Sequence, residues 1–102
     1  MTVYQLAPTA IADLEEILLN RSEHSGPEAA AQLEENLLSA FERLAFTPGL
    51  GHRRSDLTRK PYFFYLVDPY LIVYARHVDP LPILAILHAA RNVRAVLARR
   101  KQ

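Results

Sequence analysis

Cysteine is absent from this 102-residue chain, which excludes disulfides and cysteine-based zinc sites. That absence fits a reducing cytoplasm. No apolar run approaches the roughly 20 residues that a membrane span needs. The opening Met1-Thr2-Val3-Tyr4-Gln5 lacks a basic segment followed by an apolar one, so no secretion signal is expected and a cytoplasmic location is. Repeats and low-complexity segments are also missing. The four histidines, His24, His52, His77 and His88, show no paired-ligand spacing. Neither a metal nor a cofactor is expected.

Half of the residues are hydrophobic, enough for one domain spanning 1–102 with its own core. Net charge is +1, but it is distributed unevenly. Residues 1–47 contain Arg21 and Arg43 against eight acidic residues, whereas 48–102 contain ten basic residues against Asp56, Asp68 and Asp79. The basic half suggests an anionic partner; two solvated faces of opposite sign would give the same pattern.

Hydrophobic spacing predicts the elements. Thr2 to Leu6 reads as a short strand. Pro8 suits the first turn of a helix, and Ala10, Ile11, Leu14, Ile17 and Leu18 follow at helical spacing until the helix fades near Arg21. Pro27-Glu28 opens a second helix whose stripe is Leu33, Leu37, Ala40, Phe41 and Leu44. Thr47-Pro48-Gly49 stops it, and the pair reads as an antiparallel αα-hairpin. Residues 49–61 form a loop carrying Arg53, Arg54, Arg59 and Lys60. Strands are expected at Tyr62–Val67, Tyr70–His77 and Ile83–His88, with Asp-Pro breaks between them. Ile83 to Leu87 is apolar on both faces, which suits a central strand or an edge that a partner covers. Asn92 to Arg100 suits a short C-terminal helix with Val93, Val96 and Leu97 on its apolar side. Arg99-Arg100-Lys101 reads as a frayed tail. The expected class is α+β: an N-terminal strand and a helical hairpin packed on an antiparallel-rich sheet, with a possible short C-terminal helix.

This layout resembles the ParE/RelE toxin family, and its ParE branch in particular. Tyr4-Gln5-Leu6-Ala7-Pro8 leading into Ala12-Asp13-Leu14-Glu15-Glu16-Ile17 is similar to the family's first strand and helix, and Gly26-Pro27-Glu28-Ala29-Ala30 to the start of its second helix. Phe41-Glu42-Arg43-Leu44, then Pro48-Gly49 and Gly51-His52-Arg53, resembles the helix end and following loop. The paired strands Tyr62–Val67 and Tyr70–Tyr74 and the closing Ile86-Leu87-His88-Ala89-Ala90-Arg91 complete the match. The resemblance implies the toxin of a type II toxin–antitoxin system. ParE-like members inhibit DNA gyrase; RelE-like members are ribosome-dependent mRNA endonucleases (mRNA interferases).

The residues favour the first activity. RNA cleavage needs an acid, a base and cations around the phosphate. Helix two instead exposes Glu34, Glu35 and Glu42, and no aromatic residue follows Tyr74 to hold a base. If the chain were a nuclease, His77, His88 and Arg91 would be its catalytic candidates, since imidazole titrates near neutrality. His77 also suits a strand end beside a turn, and His88 a residue hydrogen-bonded to backbone. Gyrase inhibition needs only a surface, for which Arg53, Arg54, Arg59, Lys60, Arg76, Arg91 and Arg94 are the target-binding candidates. A non-toxic, binding-only homologue remains the third reading.

The resemblance also implies a ParD-like antitoxin with an acidic or amphipathic C-terminal segment that folds onto the toxin in a hetero-oligomeric complex. Leu18, Leu19, Leu38 and Leu50 lie outside a single buried stripe and are candidate contacts for it. A wider core face is the alternative, favoured for Leu18 and Leu38. The aromatic residues of the two paired strands could stack on bases, but strand alternation sends about half of them inward, and the core reading is the stronger one.

Overall fold

A computed structural model describes residues 4–100 of the chain. Thr2 and Val3 of the expected first strand, and Lys101, lie outside the described residues. The order is β1 (Tyr4–Leu6), α1 (Pro8–Ser25), α2 (Pro27–Phe46), a 3-10 turn at Pro48–Leu50, β2 (His52–Arg53), β3 (Tyr62–Val67), β4 (Tyr70–Ala75), β5 (Leu81–His88) and α3 (Val93–Arg99). Five strands form one sheet ordered β1-β5-β4-β3-β2. β1 runs parallel to β5 and the other pairs are antiparallel. The α+β class therefore holds.

Both helices of the hairpin begin with proline at their first turn. α1 reaches Ser25, four residues past the expected fade, and a single residue, Gly26, joins it to α2. Gly26 has φ +92° and ψ 164°, a conformation open to glycine because it has no Cβ. So tight a link forces the helices antiparallel. Leu33, Leu37, Ala40, Phe41 and Leu44 all pack into the core, each large side chain contributing about 1.5–3 kcal/mol by leaving water. On α1 the buried face is narrower. Ala10 is fully buried, but Ile11 remains 47% exposed. It lies about 100° further around the helix, beyond the hairpin seam, so its expected place in the stripe is not taken.

The sheet is covered on both faces. Toward the hairpin, Tyr70, Ile72, Tyr74, Ile83 and Ile86 meet Leu37, Phe41 and Leu44. On the other face, Tyr62, Phe64, Val73, Ala85 and Leu87 meet Val93, Val96 and Leu97 of α3. β5 feeds both clusters, which explains its apolar run. Val73 pairs with Ala85 and Tyr74 with Ile83, so Leu84 is an extra residue in a bulge.

The outer edge of β5 is only partly paired, because β1 matches Leu81 to Ile83. Side chains of α1 occupy part of the remainder. Thr9 Oγ1 donates to the carbonyl of Leu84 at 2.9 Å, and Asp13 Oδ2 accepts from Ile86 N at 3.0 Å. A strand edge so satisfied offers fewer free backbone groups to another chain. Asp13 also takes both terminal nitrogens of Arg100 at 2.8 Å. Arg100 is therefore part of a clasp holding the end of α3 to α1, and the frayed-tail expectation fails for it: a bidentate partner and a partly buried site outweigh the entropy of a terminal residue.

The strand expected to continue to His77 stops at Ala75. His77 has φ +66°, a left-handed conformation uncommon outside glycine, which turns the chain out of the ladder. Arg76 consequently stands just past β4 rather than on it.

Candidate binding face

Four of the arginines expected at a binding surface converge around the N-terminal half of α3. A groove of about 330 Å³ is lined by Leu57, Leu66, Leu71, Ala89 and Val93, together with Arg54, Arg91, Asn92 and Arg94. Beside it a second hollow of about 210 Å³ brings Arg59 to the same Arg94, with Ser55, Leu57, Thr58 and Ala98. The sequence separates Arg54 from Arg94 by a loop and three strands. Packing of Leu57, Leu71 and the α3 residues on the second face of the sheet closes that separation.

The loop that carries Arg54 has its own order. Arg54 Nε and Nη2 donate to the two carboxylate oxygens of Asp56 at 2.9 and 2.8 Å. This hydrogen bonding holds the Asp56 carboxyl below its ordinary range, with the charges of Arg54 and Arg94 acting in the same direction, and raises the Arg54 guanidinium in turn. Both groups are exposed, so the pair orders the loop more than it stabilises the fold. Asn92 caps α3 by accepting from Ala95 N at 3.1 Å, the usual service of an Asn side chain at a helix start.

The other basic candidates lie elsewhere. Arg53 is on β2 at the sheet edge, and exposed. Lys60 lies over the Tyr62 ring, 5.8 Å from its centroid. Arg76 is on the opposite, hairpin face. Its guanidinium stacks over Phe63 at 5.0 Å, and its buried Nε has no hydrogen-bond partner. An unpaired buried donor costs about 1–3 kcal/mol. Arg76 lines a cleft of about 490 Å³ with Ala45, Pro48, His77, Val78, Asp79 and Leu81.

The turn above that cleft is pinned by Tyr74. Its hydroxyl donates to Pro48 O at 2.7 Å and accepts from Gly51 N at 2.9 Å. Burial pushes the phenol up from its ordinary value, and the Gly51 bond and the charge of Arg76 oppose this. A Cβ on Gly51 would lie 2.5 Å from that hydroxyl oxygen and 2.8 Å from Phe64 O, so the close approach demands glycine. On the β1 edge of the sheet, burial and the charge of Glu42 push the Tyr4 phenol up.

His77 and His88 do not meet. His88 pairs with Tyr70 at the start of β4, while His77 lies past its end, on the order of 20 Å away at about 3.4 Å per strand residue. His88 Nδ1 accepts from Ala90 N at 3.0 Å, and its ring packs edge-on to Tyr70 at 5.5 Å. Arg91 lines both the arginine groove and a hollow with His88, Asp13 and Glu16. One phosphate cannot touch both histidines. Among the described residues no group of three His, Asp or Glu is placed to hold a metal ion, and no helix is long and apolar enough to cross a membrane.

The four leucine candidates divide. Leu18 and Leu38 pack against the hairpin core, as the wider-face reading expects. Leu19 and Leu50 are 62% and 39% exposed. Sequence reasoning passed over Phe46, which is 82% exposed and shares a hollow with Leu50, Arg43 and Glu42. A signal was available: Phe46 falls two residues after Leu44, off the buried stripe. Leu66, which is 54% exposed, was also missed. It follows Tyr62 and Phe64 in the alternation of β3 and lines the groove with Arg54 and Arg94.

Residues 4–93 match the family model described as the ParE toxin of the type II toxin–antitoxin system parDE. The chain belongs to the ParE toxin family. It is 31% identical over 88 residues to Toxin ParE3 of Caulobacter vibrioides, covering 86% of this chain and 87% of that one. A solved structure titled as the chromosomal ParDE TA system from P. aeruginosa superposes with a TM-score of 0.71 at 18% identity, over 83% of this chain and 92% of that one. That likeness concerns the fold. In this ParE-family toxin, the matched span includes the hairpin, the sheet and the loop bearing Arg53 to Lys60, and ends at Val93, the first residue of α3. Arg94 and the Asp13–Arg100 clasp thus involve residues outside the family match.

Proposed function

We propose that the chain inhibits DNA gyrase and is neutralised in the cytoplasm by a ParD-like antitoxin whose acidic or amphipathic segment folds onto it in a hetero-oligomeric complex. One observation carries the gyrase reading beyond family membership: Arg54, Arg59, Arg91 and Arg94 gather about an apolar groove, whereas the two histidines a nuclease would need stand at opposite ends of β4. A planar guanidinium pairs with carboxylates and phosphates in a fixed geometry, and apolar floor between such groups is the composition of a protein-binding surface. A cluster of this composition supports the gyrase reading, which asks for a binding surface rather than a catalytic set.

The deciding experiment induces the chain alone in bacteria and follows DNA and mRNA over the first minutes. Filamentation, a DNA-damage response and blocked supercoiling are expected, with the purified chain inhibiting gyrase directly. Rapid cleavage of ribosome-bound mRNA would overturn the proposal. A folded chain without any growth effect would leave only the binding role.

A further inference from the structure

We infer that the cleft beneath the Pro48–Leu50 turn is a receptor for one carboxylate flanked by an apolar side chain, contributed by the antitoxin segment; this rests on the toxin–antitoxin reading above. Arg76 carries the argument. Among the described residues it forms no hydrogen bond or ion pair, and its Nε is buried without a partner. The guanidinium carbon sits over the Phe63 ring, 5.0 Å from its centroid, and with Nε buried the side chain is held in advance, so less of its freedom is lost when its outer nitrogens engage a ligand. A charge held in place, partly withdrawn from water and lacking an internal counter-ion is completed by an anion.

The surroundings select which anion. Ala45, Pro48, Val78 and Leu81 make an apolar wall around the cleft, with Val78 55% exposed. Immediately along the chain, Phe46 and Leu50 are exposed beside Arg43. Asp79 lines the same cleft, and Glu42 lines the neighbouring hollow. The C-terminal end of α2, where unpaired carbonyls concentrate negative potential, adjoins both. A polyphosphate backbone would meet repulsion from three directions. A peptide bringing a single negative charge meets Arg76, and its apolar residues meet the wall. The cleft is on the hairpin face, away from the arginine groove on the α3 face, so the antitoxin and the target have separate primary contacts.

The test uses the intact chain and N-acetyl-leucine as probe, followed by amide and guanidinium NMR resonances. N-acetyl-leucine should shift Ala45, Val78, Leu81 and the Arg76 Nε signal, and N-acetyl-leucinamide should bind at least about tenfold more weakly. Arg76→Gln should abolish the response while its melting temperature shows that the fold persists, and Arg76→Lys should restore only part of it. Equal binding of acid and amide, no shift at saturation, or equal binding of inorganic phosphate would each overturn the site. In the co-purified antitoxin complex, Arg76→Gln should weaken affinity by about tenfold or more. Unchanged affinity there would overturn this inference while leaving the toxin–antitoxin reading intact. Failure of that reading would show instead as no complex with the unmodified chain.

Discussion

Asp13 and Arg100, 87 positions apart, form a two-pronged ion pair at 2.8 Å on each prong, and the same carboxylate accepts from Ile86 N at 3.0 Å. One acidic side chain thereby ties α1, β5 and the end of α3 together. The Arg100 guanidinium is raised from its ordinary value mainly by this bond. Removing either partner should have unequal effects. Arg100→Ala leaves Asp13 its backbone partner and access to water, and should cost about 1 kcal/mol after allowance for screening. Asp13→Ala leaves Ile86 N and Arg100 both unpaired and should cost about 2–3 kcal/mol. Urea unfolding of the two variants measures the difference; equal costs would argue against the clasp.

Tyr74 and Gly51 depend on each other. Tyr74→Phe removes the bonds to Pro48 and Gly51 and should destabilise by about 1–3 kcal/mol. Gly51→Ala should cost a similar amount for a different reason, overlap with Tyr74 and with Phe64 O. Because both act on one contact, the double variant should lose less than the sum of the two single losses, a result readable from a double-mutant cycle.

Alkaline stability follows from the same phenol. The folded value for Tyr74 lies above 10.0 because burial disfavours the phenolate. The neutral form is thus favoured by folding. Its contribution is fully present below pH 10 and is lost as pH rises through the folded value. Tyr4 is raised as well and acts with the same sign. Denaturant midpoints measured from neutral pH upward should fall above pH 10 in the unmodified chain and fall less in Tyr74→Phe, leaving a residual slope from Tyr4.

The arginine face makes a cellular prediction. Replacing Arg91 and Arg94 together with Ala should relieve growth arrest and weaken gyrase inhibition by at least about tenfold, with unfolding midpoints unchanged. Arg53 and Arg54 replaced together should act in the same direction. Arg99→Ala, at an exposed position beyond the groove, serves as the control and should retain full toxicity. Full toxicity in both double variants would remove the surface assignment.

The histidines predict a silent result. Since His77 and His88 stand at opposite ends of β4, His77→Ala and the double variant with His88→Ala should arrest growth as the unmodified chain does when expressed at equal folded levels. Loss of toxicity with retained folding would restore a chemical role for them.

Much of the architecture was legible from local pattern. The stripe Leu33, Leu37, Ala40, Phe41 and Leu44 repeats at helical spacing, and every member is buried. Prolines at the two helix starts and the Asp-Pro breaks between strands mark boundaries through backbone geometry alone. The two-sided apolar run of β5 announces a strand covered on both faces. These readings succeed because burial periodicity and backbone restriction act within a few residues, so a short window contains the cause. Ile11 marks where that logic stops: its spacing is helical, but the width of the seam between α1 and the sheet determines whether it is covered.

Which charges share a surface was decided only by the tertiary structure. The sequence places ten basic residues in its second half but does not say that Arg54, Arg59, Arg91 and Arg94 meet around α3, that Arg76 turns to the other face, or that Arg100 leaves solvent to hold Asp13. Those outcomes depend on strand order, on how α3 docks on the sheet, and on the left-handed residue at His77 that removes Arg76 from the strand. A long side chain reaches across elements, and its partner is set by how those elements dock. The sequence by itself determined the two long helices, the three longer strands and the buried stripe of α2, because hydrophobic burial is written in local periodicity. Docking determined the binding face, because charge pairing acts between segments that no local pattern connects.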